Sequence, residues 1–302
     1  MRLKVGLLGL AAALVASATG AASSKDNRST GKQSNGYLDV SGSKIYYEAR
    51  GSGPAIVLLH DGLLSSPTWD EVWEALAKRH QVIRYDRRGY GRSELPTKSY
   101  SSSEDLRKLL MHLKVQHAVI VGSSSGGALA IDFAIAHPEM VDGLFLIGPV
   151  LHGKEFSEQF LERARRNNEP MEHDDVKGWA RNWSQDQFLI AGSNDAARRK
   201  IDEQLVENAE KLKKFDPGLE EKLSPLASQR LSEIKAPALI LGGEADIADV
   251  HAHCDAIKAG IRDSQQLTVK DAGHLIQLEK PDEVVKRLED FADRCERQRA
   301  RK

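Results

Sequence analysis

Residues 118–128 read Ala118-Val119-Ile120-Val121-Gly122-Ser123-Ser124-Ser125-Gly126-Gly127-Ala128. The apolar run 118–121 predicts a strand buried on both faces, and 128–137, stopped by Pro138, predicts a helix. Between them, only Ser124 has glycine two places before it (Gly122) and two places after it (Gly126). A G-x-S-x-G turn from strand to helix holds its serine in a strained backbone conformation and lifts the hydroxyl above the sheet edge. It also aims the unbonded N–H groups of the following helix at the place where an oxyanion would form. A phosphate cradle is the competing use of such a turn, but the lysine of a P-loop and the G-x-G-x-x-G spacing are both missing.

Working outward, further strands are predicted at 55–59, 81–85, 144–147, 238–241 and 266–269, the last two carrying the same doubly buried signal as the first. Helices are predicted at 69–76, 106–113, 250–259 and 282–295. Runs 37–40 and 44–49 join at Ser41-Gly42-Ser43 as a hairpin. Strands alternating with helices imply an α/β fold with a mostly parallel, doubly wound sheet. The stretch 153–223 breaks this rhythm. It holds 16 acidic and 13 basic residues in 71, about 41% against 29% for the whole chain. Phe156 and Phe160, and Trp179 and Trp183, are i, i+4 pairs, so the stretch reads as a helical cap insert, charged outside and apolar beneath. The core is then 37–152 with 224–302.

The chain has 302 residues, 43 basic and 44 acidic, for a net charge of −1. That balance argues against nucleic acid as a main partner. Two cysteines, Cys254 and Cys295, are too few for a disulfide scaffold or a four-cysteine zinc site; they either pair or stay as buried thiols. His251 and His253 lie at i, i+2 on a predicted helix and face apart, so no metal is expected. Residues 1–22 read as an export signal: Arg2 and Lys4 precede a short apolar run and small-residue cleavage positions. A membrane anchor is the alternative, though the run is short for a span. Residues 23–36 are polar and read as a flexible leader. Export puts the mature protein in a periplasm or outside the cell.

A serine hydroxyl needs a base at neutral pH, and the base needs a carboxylate to set its tautomer. His274, in Asp271-Ala272-Gly273-His274-Leu275, lies in a loop just after the last predicted strand. Asp246 lies just after the strand 238–241, on the edge that carries Ser124; Glu244 and Asp249 are rivals. The chain order Ser124, Asp246, His274 is that of a strand-turn-helix nucleophile on an α/β sheet.

With these residues the chain resembles the α/β-hydrolase superfamily, from residue 37 to about 294. Besides the Ser124 turn, the likeness includes His60-Asp61-Gly62-Leu63 after the strand 55–59, Asp86-Arg87-Arg88-Gly89-Tyr90-Gly91-Arg92-Ser93, Ala136-His137-Pro138-Glu139, Ala272-Gly273-His274 and Leu278-Glu279-Lys280-Pro281. The resemblance implies an oxyanion hole from the N–H groups of Gly62 and Ser125. It departs at Asp61, where relatives carry glycine; a carboxylate aimed into the hole would oppose an oxyanion. It implies that Asp86–Ser93 is a structural loop with a buried pairing of the Asp86–Arg88 type, and that His60 organises its loop. It implies cofactor-free cleavage of a small ester or lactone by acyl transfer. Carbon–carbon bond hydrolysis, haloperoxidase-like chemistry and a non-catalytic ligand-binding role are the alternatives. Leu63, Val150, Leu151, Trp179, Trp183 and Ile276 are expected to line an apolar pocket under the insert.

Overall fold

The computed structural model describes residues 33–301. The export signal and residues 23–32 of the leader lie outside the described residues. Eight strands form one sheet: β1 (Ser34–Asp39), β2 (Lys44–Arg50), β3 (Ala55–Leu59), β4 (Gln81–Tyr85), β5 (Ala118–Ser123), β6 (Val141–Ile147), β7 (Ala238–Gly243) and β8 (Ser264–Val269), in the order β1-β2-β4-β3-β5-β6-β7-β8. β1, β2 and β4 pair antiparallel, and every pair from β4 through β3 to β8 is parallel. β1 begins at Ser34, paired with Ala49, so the last three residues of the span read as leader belong to the sheet.

The helices are α1 (Asp70–Leu76), α2 (Ser102–His112), α3 (Ser125–Ala136), α4 (Glu158–Glu172), α5 (Val176–Ser184), α6 (Asp195–Leu212), α7 (Ala248–Gly260), the single turn α8 (Ile276–Glu279) and α9 (Pro281–Arg299). Alternate side chains of each strand feed opposite faces of the sheet. Val57 and Leu59 of β3 pack with α2, α3 and α7, whereas Ile56 and Leu58 pack with α1 and α9. This double coverage explains the continuous apolar runs of β3, β5 and β7. β8 departs from the doubly buried reading. It is an edge strand, and its Leu267 is 37% exposed. Cys254 and Cys295 are free, buried thiols in the clusters on opposite faces, so the sheet separates them. Burial pushes both thiols up to about 12.

Strand order reverses at β3, which has β4 on one side and β5 on the other. Chains leaving the carboxyl ends of β3 and β5 therefore part in opposite directions, and the crevice between them is where open α/β sheets bind ligands. The insert sits over this end as α4, α5 and α6. Each begins with a side-chain cap: Ser157 accepts from the N–H of Phe160, Asp175 from Gly178 and Asn194 from Ala197. Each cap is worth about 1 kcal/mol to its helix. Beneath, Trp179, Trp183, Leu189, Ile201 and Leu205 pack on Leu64 and Leu275 of the core. The aromatic side chains Trp179 and Trp183 thus lie on the underside of the insert, while Arg163, Asp186 and Arg198 are buried within it.

Candidate active site

Ser124 stands between β5 and α3 with φ 53° and ψ −118°, a conformation that costs a non-glycine residue about 1–3 kcal/mol. The neighbours hold it there. Its N–H donates to the carbonyl of Ile147 (2.9 Å), and its carbonyl accepts from Val150 (3.0 Å) and Gly127 (2.9 Å). The flanking glycines are steric necessities. A methyl group on Gly122 would run into the backbone of Gly126, and one on Gly126 into the carbonyls of Leu59 and His60.

Asp246 follows β7 and His274 follows β8, as expected from their places in the sequence. His274 Nδ1 and Asp246 Oδ2 are 2.7 Å apart. A carboxylate accepts, so Nδ1 carries the proton and Nε2 is left with a lone pair. Asp246 Oδ1 accepts from the N–H of Ile247 (2.8 Å), which fixes the carboxylate plane. Burial pulls the imidazole pKa down, but the charge and hydrogen bond of Asp246 outweigh it, and the net shift is upward. The two rival carboxylates are engaged elsewhere: Glu244 accepts from the N–H of Asp271 (3.2 Å), and Asp249 accepts from the hydroxyl of Ser157 (2.8 Å).

The histidine loop is held from the insert as well as from the sheet. His274 N–H donates to the carbonyl of Phe188 (2.8 Å) and Leu275 N–H to that of Leu189 (3.1 Å). Glu279 clamps both sides, accepting from Ala191 N–H (2.7 Å) and Gly273 N–H (2.6 Å).

Gly62 and Ser125 are neighbours across the crevice; a methyl group on Gly62 would lie 3.1 Å from Ser125 Oγ. Asp61, the departure from the family pattern, is 2% exposed. Its Oδ1 turns back onto its own loop and accepts from the N–H groups of Leu63 (2.8 Å) and Leu64 (2.9 Å). This is the local turn that aspartate forms readily, and it shapes the loop that presents Gly62.

Ser124, Asp246 and His274 line one cavity of about 260 Å³, together with Asp61, Gly62, Leu63, Val150 and Trp183. Ser125 is not part of this wall. Leu151, Trp179 and Ile276 do not line it either, which corrects the expected pocket. Leu151 points away from the cavity into the cluster with α3 and α7. Trp179 lies one helical turn before Trp183; both pack in the insert's core and both indoles donate to Asn168 Oδ1 (2.9 Å), but of the two only Trp183 also lines the cavity. Ile276 opens α8 and is fully buried against the α1–α9 face.

The sequence reading missed Phe160, Arg163, Ala164 and Leu189 from the insert, and Ile247 and Val250 beside Asp246. A signal existed for the first three: they fall at i, i+3 and i+4 of α4 and so share one face. Arg163 is held by Asp186 (2.8 and 3.0 Å) and faces the rings of Trp183 (5.2 Å) and Phe188 (5.5 Å). The expected Asp86–Arg88 pairing is also corrected. Arg88 pairs with Asp105 of α2 (2.8 Å), and Asp86 instead accepts from the N–H groups of Ser66 (2.8 Å) and Arg92 (2.8 Å). Both contacts make the segment structural.

The doubly wound sheet reverses its strand order beside the serine turn, and Ser124, Asp246 and His274 follow β5, β7 and β8 in chain order. The chain belongs to the alpha/beta hydrolase fold family, whose model it matches over residues 54–281. It is 37% identical over 145 residues to the uncharacterized hydrolase YraK of Bacillus subtilis, covering 44% of this chain and 54% of that one. The match thus spans about half the length of that relative. It is 27% identical over 281 residues to the 2-hydroxy-6-oxo-6-phenylhexa-2,4-dienoate hydrolase of Comamonas testosteroni, covering 84% of this chain and 92% of that one. Among solved structures it resembles Est816, described as an N-acyl homoserine lactone degrading enzyme, at a TM-score of 0.69 and 25% identity, covering 85% of this chain and all of that one. Among the described residues, no helix is long and apolar enough to cross a membrane, and no cluster of potential metal ligands is found.

Proposed function

We propose that this protein is an exported serine hydrolase that cleaves a small carboxylic ester or lactone through Ser124, His274 and Asp246. The observation that carries the proposal is the His274–Asp246 pair facing the same cavity as a serine held in a strained turn. In the first step Ser124 Oγ attacks the substrate carbonyl while His274 Nε2 takes its proton. The N–H groups of Gly62 and Ser125 bind the resulting oxyanion, with the dipole of α3 behind Ser125. The carbonyl–oxygen bond then breaks, the leaving alcohol takes the proton from His274, and an acyl-Ser124 ester remains. Water, deprotonated by His274, attacks that ester and releases the acid. Asp246 supports the imidazolium that forms in each half.

The largely apolar cavity of about 260 Å³ lies at the small end of ligand sites, which supports a short or compact acyl group. Likeness to a carbon–carbon bond hydrolase over most of the chain supports a second reading, in which the same serine and histidine act on a vinylogous keto acid. Turnover of p-nitrophenyl esters, simple lactones and such keto acids, by wild type and by Ser124→Ala, separates the two. Ester or lactone turnover lost in the variant supports the first reading, and keto-acid cleavage alone replaces it with the second. A folded wild type that turns over none of them, and whose Ser124 resists a fluorophosphonate, refutes both. Fractionation of cells expressing the full chain tests export.

A further inference from the structure

Arg87, in the loop after β4, lies beside the crevice but outside the cavity that holds Ser124. Its backbone N–H donates to His60 Nε2 (2.9 Å), so the imidazole proton must sit on Nδ1. Nδ1 donates in turn to the carbonyl of Asp61 (2.7 Å), which belongs to the same peptide group as the N–H of Gly62. A hydrogen bond to a peptide carbonyl polarises its N–H and makes it a better donor. Burial and the charge of Arg87 pull the His60 pKa down to about 4, so the ring stays neutral.

The guanidinium reaches the other side of the crevice. Arg87 Nη1 donates to Ser125 Oγ (3.1 Å) and lies 3.4 Å from the carbonyl of His60. It also sits 5.1 Å from the ring of Tyr90, whose hydroxyl donates to the carbonyl of Gly62 (3.2 Å). The guanidinium thus touches the residue of one proposed donor directly and the loop of the other at the His60 carbonyl and, by way of Tyr90, at the Gly62 carbonyl, while the backbone N–H of the same residue holds the His60 ring.

We propose that Arg87 is the positioning residue of the oxyanion hole, tying Ser125 to the 60–63 loop so that the two N–H groups stay aimed at one point. This inference rests on the proposal that Gly62 and Ser125 bind the oxyanion. The positive charge adds to the geometry. Asp61, on the same loop, puts a negative charge next to a developing anion, and a cation bonded to Ser125 offsets it. The departure from glycine at 61 is then tolerable because of Arg87.

The test compares Arg87→Met, Arg87→Lys and Ser125→Ala with the wild-type full chain. Each is assayed for kcat and KM on an ester the wild type hydrolyses, for inhibition by a trifluoromethyl ketone, and for melting temperature. The ketone forms a tetrahedral oxyanion adduct with the serine, so its affinity reports the hole. Arg87→Met is expected to lower kcat roughly 10- to 100-fold with KM nearly unchanged, somewhat less than the loss of a direct donor. Ketone affinity falls by a similar factor, lysine restores part of both, and Ser125→Ala shows a smaller loss in the same direction. Wild-type kcat and ketone affinity in a folded Arg87→Met overturn the proposal. If that variant does not fold, unchanged values in both Arg87→Lys and Ser125→Ala overturn it. Failure of the serine mechanism itself is recognised separately, by a wild type whose Ser124 is not labelled by a fluorophosphonate or by an active Ser124→Ala.

Discussion

The two halves of the cavity are built by different means. The sheet half consists of short loops leaving strand ends: 60–63 after β3, Ser124 after β5, Asp246 after β7 and His274 after β8. The Ser124 turn is held there by its backbone hydrogen bonds, and Asp61, Asp246 and His274 by bonds to their side chains. The insert half consists of side chains on one face of α4, with Trp183 of α5 and Leu189 beyond it, held by packing and by the Arg163–Asp186 pair. The sheet half is suited to chemistry, because its geometry is over-determined. The insert half is suited to selection among substrates, because an exchange of side chains there alters shape without moving the reacting groups.

That contrast is broken or sharpened by substitution on each side. The largest effect is expected from Ser124→Ala, which should lower kcat by roughly 10⁶-fold while the melting temperature holds; retained turnover in a steady-state assay would remove the serine from the chemistry. Asp246→Asn should cost roughly 10⁴-fold, because the imidazole loses the partner that sets its tautomer. The pH profile carries the sign. In the proposed mechanism His274 acts as base only when neutral, and its pKa is raised above the ordinary 6.5. Activity is therefore full at higher pH and lost as pH falls through a value above 6.5; an acid limb of kcat/KM well below 6.5 would contradict the pairing. On the insert side, Trp179→Ala should destabilise by about 3–5 kcal/mol in a denaturant titration yet leave the ester chain-length preference alone. Trp183→Ala should do the reverse in part, changing that preference by about tenfold in kcat/KM, within the range that hydrophobic pockets discriminate. If both tryptophans shift the preference equally, the division between insert core and cavity wall fails.

Legibility followed the same division. Ser124 could be singled out because a steric rule acts within five residues, and Gly122 and Gly126 satisfy it alone among the three serines. Asp246 and His274 were legible because each follows a strand run at once. The partner of Arg88 was not, because Asp105 comes from the next helix and only the packing of α2 brings it near. Trp179 and Trp183 share a spacing and a face, and nothing local tells which one also lines the cavity. Leu151 beside Val150 posed the same difficulty in an irregular segment. The openness of β8 depends on its being the last strand, a property of the whole sheet rather than of its own residues.

The two backbone hydrogen bonds that run from His274 and Leu275 to Phe188 and Leu189 bear on modularity. An insert between two strands resembles an accessory that evolution could exchange or delete freely. Here it carries part of the mounting of the imidazole, and Glu279 bolts the same joint through Ala191 and Gly273. A chain trimmed to its sheet and flanking helices would keep the serine turn and lose two of the anchors of the His274 loop. Replacement inserts are therefore constrained to supply a turn whose carbonyls meet the N–H groups of residues 274 and 275, and a partner such as Arg163 of α4 to hold that turn through Asp186.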